Sequence, residues 1–171
     1  MKGRRGNAAN GLVYVEGGTG ALDLITPLWE ELRQYHQSIS EHFSSDIAEF
    51  TFAVRKAKLL EKAEEGLIRV ELVQTEAGEA VGYCVSSVDS EHVGEIDSIS
   101  VRPRFRNQGI GHTLMRRAIT WMDAQQVRSK VLVVLAGNDR VLPFYQRYGF
   151  FPRSIKLKQK ADSDSPAEHA D

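Results

Sequence analysis

The sequence predicts a single α/β domain whose mixed, mostly antiparallel sheet is flanked by helices. Three observations support this fold class. The 171 residues fit one domain of ordinary size. Segments with helical spacing come first, and a series of extended segments follows them. Residues 94–135 then run strand, amphipathic helix, strand, which predicts a βαβ unit with two parallel strands and a right-handed crossover.

The composition is that of a soluble globular protein, with 42% hydrophobic and 26% charged residues. The formal net charge of -1 argues against nucleic acid as a partner. No run approaches the roughly 20 apolar residues of a membrane helix, so we expect no membrane partner. The basic segment 1–10 has no apolar stretch behind it and is not a signal peptide.

The sequence contains one cysteine and five histidines. Cys84 is the single cysteine, so no internal disulfide can form, and its apolar surroundings predict a small buried side chain. We therefore expect a cytoplasmic protein. The five histidines and the cysteine show no ligand spacing, and no metal site is predicted.

The chain order predicts the following elements. Strands are predicted at 12–15, 67–74, 80–88, 94–101, 131–135 and 150–158. Helices are predicted at 22–37, 46–63, 110–125 and 138–148. The run 131–135 is continuously apolar, which predicts a central strand with both faces covered. The domain is expected to span 1–158, and 159–171 to be a disordered acidic tail.

The loop from Arg102 to Gly111 joins the first βαβ strand to its helix. Glycines at a helix start let the backbone approach a ligand, and the free N–H groups there bind anions. Arg102, Arg104 and Arg106 add positive charge, so a di- or triphosphate group is expected. No Gly-Lys-Ser/Thr follows, and the third glycine of a dinucleotide fingerprint is missing. The alternative is an ordinary glycine-tightened turn with solvated arginines.

Two motifs at the correct spacing resemble the GNAT N-acetyltransferase superfamily. Arg106-x-x-Gly109-x-Gly111 matches its R/Q-x-x-G-x-G/A signature, and the preceding run 95–101 is similar to the family's fourth strand. The segment 138–150 resembles N-x-x-A-x-x-F-Y-x-x-x-G-F, with Val141 in place of the usual alanine. The motif match covers about 94–151, and the order of elements fits that fold across 12–158.

The resemblance implies that acetyl-CoA is the co-substrate. Its pyrophosphate would lie on the backbone amides of 106–111, and its pantetheine arm would pair with Ile99 to Val101 where the parallel strands splay apart. The slip in apolar alternation between Ile96 and Ile99 indicates a bulge, or a strand buried on both faces. The implied cofactor-binding residues are Ile99, Ser100, Val101, Arg106, Asn107, Gln108, Gly109, Ile110, Gly111, Asn138 and Tyr145.

Catalysis needs an amine that loses its proton and a thiolate that gains one. Tyr145 has an ordinary pKa of about 10, so it is protonated at neutral pH and suited to be the general acid. The alternative is a core aromatic packed with Phe144 and Tyr148. Glu95 is the favoured base, with Asp97 or solvent as alternatives acting through a water. A free backbone N–H near Val101 is expected to stabilise the oxyanion.

The acceptor amine is the open part of the prediction. The resemblance implies that the helices of 21–65 line its groove, but His36 and His42 are expected to be solvated residues at helix ends. The predicted function is transfer of an acetyl group to a primary amine of a small molecule or protein. A non-catalytic acyl-CoA-binding or sensing module is the alternative. Homodimers are frequent in this family, and the sequence decides neither oligomeric state nor the range of acyl groups.

Overall fold

A computed structural model describes residues 5–9 and 11–160, with side chains described from residue 11 onward. The predicted tail beyond 160 lies outside the described residues. The structure contains a six-stranded sheet whose strands lie in chain order. The strands are β1 (Arg5–Ala9), β2 (Leu12–Gly17), β3 (Leu67–Thr75), β4 (Ala80–Val88), β5 (Val93–Val101) and β6 (Ser129–Leu132). All neighbouring pairs are antiparallel except β5 and β6, which are parallel.

Helices cover both faces of this sheet. They are α1 (Thr26–Ile39), α2 (Ser44–Glu49), α3 (Phe52–Glu65), α4 (Ile110–Ala124) and α5 (Leu142–Gln146), and short 3-10 turns occupy Thr19–Ile25, Pro103–Phe105 and Asp139–Val141. The predicted α/β class, the meander of β3 to β5 and the βαβ unit are confirmed.

Two apolar cores lie on opposite faces of the sheet. The apolar side of α4 packs on one face, with Leu114, Met115 and Met122 fully buried. The 3-10 turn, α1 and α3 pack on the other face through residues such as Leu28 and Leu59. Because β4 is covered from both sides, every residue from 81 to 88 is buried. The candidate site lies outside this doubly covered region, at the end of the sheet formed by β5 and β6.

The predicted helix over 46–63 is wrong in its continuity, because the chain breaks it into α2 and α3. Thr51 takes an extended backbone conformation, and its hydroxyl accepts a hydrogen bond from the N–H of Val54 at 3.4 Å. Threonine is a favoured N-cap because its side chain satisfies an N–H that the helix leaves unpaired. The cap starts a new helix where helical spacing alone predicts one continuous element.

Two further predictions near the C-terminus are wrong: the central position of the strand predicted at 131–135, which is the edge strand β6, and the strand predicted at 150–158. Residue 132 ends β6, which is the edge of the sheet, and Val131 and Val133 are 41% and 85% exposed. The continuous apolar run therefore does not mark a central strand. Residues 150–158 form no strand, and Ile155 and Leu157 are each 88% exposed. β6 thus pairs with β5 alone among the described residues.

Candidate active site

The parallel strands β5 and β6 part halfway along their length. Their pairing runs from Val93 opposite Ser129 to Ile96 opposite Leu132, whereas β5 continues to Val101. The ladder between β4 and β5 shifts register at this point, so Asp97 is an extra residue without a partner in β4. This bulge explains the slip in apolar alternation. A cavity of about 820 Å³ lies at the opening between the strands.

The N-terminus of α4 forms one end of this cavity. Asn107 and Gly109 take left-handed backbone conformations, with φ of 61° and 79°. Gly109 is the residue just before α4, and its left-handed conformation directs the chain into the helix. The first N–H groups of a helix have no intrahelical partner. Arg106, Asn107, Gly109 and Gly111 line the cavity. Exposed N–H groups and the positive end of the helix dipole therefore face this space, which suits an anion.

The arginines of the preceding loop have different partners. Arg102 donates to Glu31 at 2.7 Å and to Glu79 at 2.9 Å, and Arg104 pairs with Glu79. Carboxylates thus compensate both of these charges. Arg106 donates from Nε to the carbonyl of Val101 at 2.9 Å and lies on the cavity wall. Of the three predicted phosphate-facing arginines, Arg106 alone lines the cavity.

Most of the predicted cofactor-binding residues meet at this cavity. The wall includes Ile99, Ser100, Val101, Arg106, Asn107, Gly109, Gly111, Asn138 and Tyr145. Gln108 and Ile110 do not line it. The side chain of Ile110 is buried in the core, and the amide of Gln108 donates to the carbonyl of Arg104 at 3.2 Å. Any ligand contact from those two positions would therefore be made by their backbone.

Helix α1 crosses the opening from one side to the other. Glu31 binds Arg102 just beyond the end of β5, and four residues later the Tyr35 hydroxyl donates to Oδ1 of Asn138 at 3.2 Å. The last turn of α1 touches Gly137, where an added Cβ would lie 2.6 Å from the carbonyl oxygen of Ile39. Gly137 also has φ of 90°, so glycine is needed there for two reasons. The helix thus forms the cover of the cleft.

Tyr145 lies in α5 on the cavity wall. Its ring meets that of Phe144 edge-on with centroids 5.3 Å apart. Burial raises the pKa of the Tyr145 phenol to about 12. The phenol is therefore protonated throughout the neutral range and can donate a proton or a hydrogen bond to a group held in the cavity.

Both predicted bases are held by one lysine. Nζ of Lys62 lies 2.6 Å from Oε2 of Glu95 and 2.6 Å from Oδ1 of Asp97. The Asp97 side chain is fully buried, and Arg55 donates to its backbone carbonyl at 2.7 Å. Burial opposes the charge of Lys62, but its hydrogen bonds to Asp97 and Glu95 outweigh burial and raise its pKa. Asp97 borders the cavity, whereas Glu95 does not.

Several residues at the site were not predicted from the sequence. Tyr35 and His36 line the cavity, and Lys62 and Arg55 hold the carboxylates beside it. Helical periodicity identifies the apolar face of α1 and α3 but does not indicate which polar residues reach a partner 103 positions away, as Tyr35 does.

Among residues 5–9 and 11–160, no group of three or more potential ligand side chains is arranged to hold a metal ion. Within those same ranges, no helix has the length and apolarity to cross a membrane.

The fold and cleft define a class of α/β proteins in which two parallel strands separate beside the N-terminus of a helix that can bind an anion. The chain belongs to the acetyltransferase (GNAT) family, because the profile of that family matches residues 27–150.

Individual proteins similar to this chain are acetyltransferases by name, in agreement with the family match. A mycothiol acetyltransferase of Propionibacterium freudenreichii is 28% identical over 151 residues, covering 77% of this chain and 48% of its own length. An uncharacterized N-acetyltransferase of Methanocaldococcus jannaschii is 30% identical over 99 residues, covering 57% of this chain and 44% of its own. The chain thus spans about half the length of these curated relatives.

The fold is also shared with a solved enzyme. The aminoglycoside N-acetyltransferase AAC(6')-Iy, solved with the bisubstrate analog CoA-S-monomethyl-acetylneamine, has a TM-score of 0.57 at 16% identity. The match covers 88% of this chain and 99% of that one. At this identity the likeness shows a common fold.

Proposed function

We propose that this protein is an acetyl-CoA-dependent N-acetyltransferase that acts on a primary amine of a small molecule or a protein. One observation carries the proposal: a single cavity joins the splayed edge of β5, the anion-binding start of α4 and the protonated phenol of Tyr145. Family membership and the N-acetyltransferase relatives support it.

The proposed position of acetyl-CoA follows from the cavity wall. The backbone amides of 106–111 would bind the pyrophosphate. The edge of β5 from Ile99 to Val101 that faces away from β4 has no strand opposite it. Arg106 occupies the carbonyl of Val101, and the remaining backbone groups on this edge are available to an amide-bearing pantetheine arm. Asn138 is 8% exposed and lies beside that arm's path, where its side-chain amide can bind polar atoms of the ligand.

The proposed reaction is direct attack of the amine on the thioester carbonyl. The acceptor loses a proton, its nitrogen forms a bond to the carbonyl carbon, and the C–S bond breaks as the intermediate collapses. Tyr145 gives its proton to the departing thiolate and regains one from solvent. Burial raises the pKa of Tyr145, and it would also destabilise a thiolate held beside it, which favours transfer of the proton to sulfur. The sequence alone predicts Glu95 as the base, or alternatively Asp97 or solvent through a water.

Acetyl-CoA turnover tests this function. The purified protein would be incubated with acetyl-CoA and, separately, spermidine, L-lysine, kanamycin and a pentapeptide that begins with alanine. Thiol release and a mass increase of one acetyl group on the amine would be measured together. We expect both with at least one amine. Binding of acetyl-CoA without transfer to any amine would instead support an acyl-CoA-binding or sensing module, and absence of binding would refute the proposal.

A further inference from the structure

His36 lies on the inner side of the helix that covers the cleft. It is in the last turn of α1, between the two points where that helix is anchored, and it lines the cavity. Its side chain is half-buried. Among the described residues, its ring nitrogens form no hydrogen bond or ion pair, and its ring contacts Tyr35 with centroids 5.8 Å apart. The imidazole is therefore available to a ligand.

Other titratable or charged groups around the cavity are less suited to accept a proton. They are Tyr35, Asp97, Arg106, His112, Arg140, Tyr145 and Arg147. The Tyr35 hydroxyl is protonated and donates to Asn138. The arginines are charged at every accessible pH, and Tyr145 already carries its proton. The Asp97 carboxylate is fully buried and bound by Lys62. His112 follows the phosphate-binding turn and shares its Nδ1 with the Tyr148 hydroxyl at 2.7 Å.

The helices beside α1 offer no competing base either. In α2, Asp46 pairs with Lys158, and Glu49 points to solvent. In α3, Arg55 is bound to the backbone carbonyl of Asp97. Glu95, the base favoured by the sequence, is in an ion pair with Lys62 and is not on the cavity wall.

We propose that His36 is the general base that removes the proton from the acceptor ammonium. This inference rests on the proposed acetyltransferase function and names a catalytic residue within it. An unprotonated ring nitrogen takes one proton from R–NH3⁺, and the resulting R–NH2 attacks the thioester carbon. The second proton lost by the nitrogen balances the one that Tyr145 supplies to CoA. His36 then releases its proton to solvent, so each turnover yields the amide, CoASH and one H⁺.

The surroundings of His36 support this role. Burial lowers the pKa of His36 below its ordinary value, so the ring is neutral and can accept a proton at neutral pH. The imidazolium that forms lies at the carbonyl end of α1, where the helix dipole favours positive charge. The half-exposed position gives the proton a route to water.

The pH dependence of kcat/KM tests the proposal. The wild type, His36→Gln, Glu95→Gln and the control His42→Gln would be compared from pH 5.5 to 10, with acetyl-CoA and whichever of spermidine, L-lysine, kanamycin or the alanine peptide reacts fastest. His42 is exposed, pairs with Glu41 and lies outside the cavity. Melting temperature and acetyl-CoA affinity would be measured for each, with His36→Asn as a second variant should the first fail to fold.

With His36 as the base, wild-type kcat/KM should rise as pH increases through the lowered His36 pKa and then level off. In His36→Gln only acceptor that is already deprotonated reacts, so log kcat/KM should rise with a slope of one towards the amine pKa of about 10. We expect a loss of about 1000-fold at pH 7, where only about one amine in a thousand is deprotonated, that nearly disappears at pH 10. The control His42→Gln should keep the wild-type shape.

The outcomes separate the inference from the function that it rests on. An active wild type whose pH profile is unchanged by His36→Gln overturns the role of His36 alone. A slope of one in Glu95→Gln, with a wild-type profile in His36→Gln, assigns the proton transfer to Glu95 instead. A wild type that acetylates none of the four amines contradicts the proposed function and this inference together.

Discussion

The hydroxyl of Tyr35 donates a hydrogen bond to Oδ1 of Asn138, 3.2 Å away, and thereby links the cover of the cleft to its far side. The guanidinium of Arg140 lies over the same tyrosine ring at 4.5 Å from its centroid. Because Oδ1 of Asn138 is engaged by this bond, its amide nitrogen is the end left to face the cavity. Under the proposed function, Tyr35 on the acceptor side would thus fix the orientation of Asn138 on the acetyl-CoA side.

The first prediction concerns this bond. Tyr35→Phe keeps the ring beneath Arg140 and removes only the hydroxyl, so we expect the KM for acetyl-CoA to rise about fivefold, the equivalent of one ordinary hydrogen bond. Asn138→Ala should raise it further, and the double variant should be no worse than Asn138→Ala. Steady-state kinetics on all three would check this, and additive effects would show that the two residues act independently.

Tyr145→Phe removes the proposed acid without changing the shape of the ring. We expect kcat to fall about 100-fold or more, with little change in acetyl-CoA affinity, because the phenol acts after the ligand is bound. Tyr14→Phe, on β2 and away from the cavity, is the matched control and should leave kcat unchanged. A drop in affinity with an unaltered kcat would indicate a packing role for Tyr145.

The pKa of Tyr145 adds a second measurement on the same residue. Burial raises this pKa to about 12, so the acid form persists as pH rises and is lost only near that value. The wild-type kcat should therefore show no decline up to about pH 10 from loss of this proton. A falling limb between pH 8 and 10 that vanishes in Tyr145→Phe would mean that the phenol ionises earlier than its burial implies.

Gly109→Ala tests the start of α4 as the anion site. The left-handed backbone at Gly109, with φ of 79°, is strained for alanine although no atom lies within 4 Å of the added Cβ. Gly78 in the β3–β4 turn has the same character, with φ of 83° and open space. Both alanine variants should lose about 1 kcal/mol of stability. Only Gly109→Ala should weaken acetyl-CoA binding, about tenfold by calorimetry, and equal affinities would exclude this turn from the site.

Glu71→Ala addresses the stability of the sheet. Glu71 is fully buried between Arg69, itself 6% exposed and 3.1 Å away, and Arg117. Removing the carboxylate leaves the buried guanidinium of Arg69 with the more exposed Glu16 but without its buried counter-charge. We therefore expect a loss of about 3 kcal/mol and a fall in Tm of about 6–12 °C. Glu91→Ala removes an exposed partner of Arg128 and should change stability by less than about 0.5 kcal/mol. Equal melting temperatures would contradict the argument.

The sequence predicted those features that local chemistry determines. The glycine-rich turn at 106–111 and the βαβ unit follow from residue spacing along the chain. The slip in apolar alternation near Asp97 had two explanations, and the structure shows that the bulge is the correct one. The break at Thr51 was missed because one cap overrides a helical period. Strand β1 was missed because its residues, RGNAA, carry no apolar alternation.

Errors at the site have a different origin. A continuous apolar run predicts burial, but Val133 lies beyond the point where β6 leaves its partner, and apolarity alone does not say which neighbours a strand has. Similarly, the position of Glu95 on a regular strand indicates its side but not that Lys62 binds it. Contacts such as Tyr35 with Asn138 depend on how α1 is laid over the sheet, which no local pattern records.

The parting of β5 and β6 after Ile96 also bears on how the protein withstands heat. Part of the β5 edge has no strand opposite it, and under the proposed function the pantetheine arm of acetyl-CoA would pair there. Under the proposed function, acetyl-CoA at 100 times its Kd would add about 2.7 kcal/mol to the free energy of unfolding. The stability of the protein would then depend on the concentration of acetyl-CoA. The ligand-free protein would unfold at a lower temperature than the ligand-bound protein.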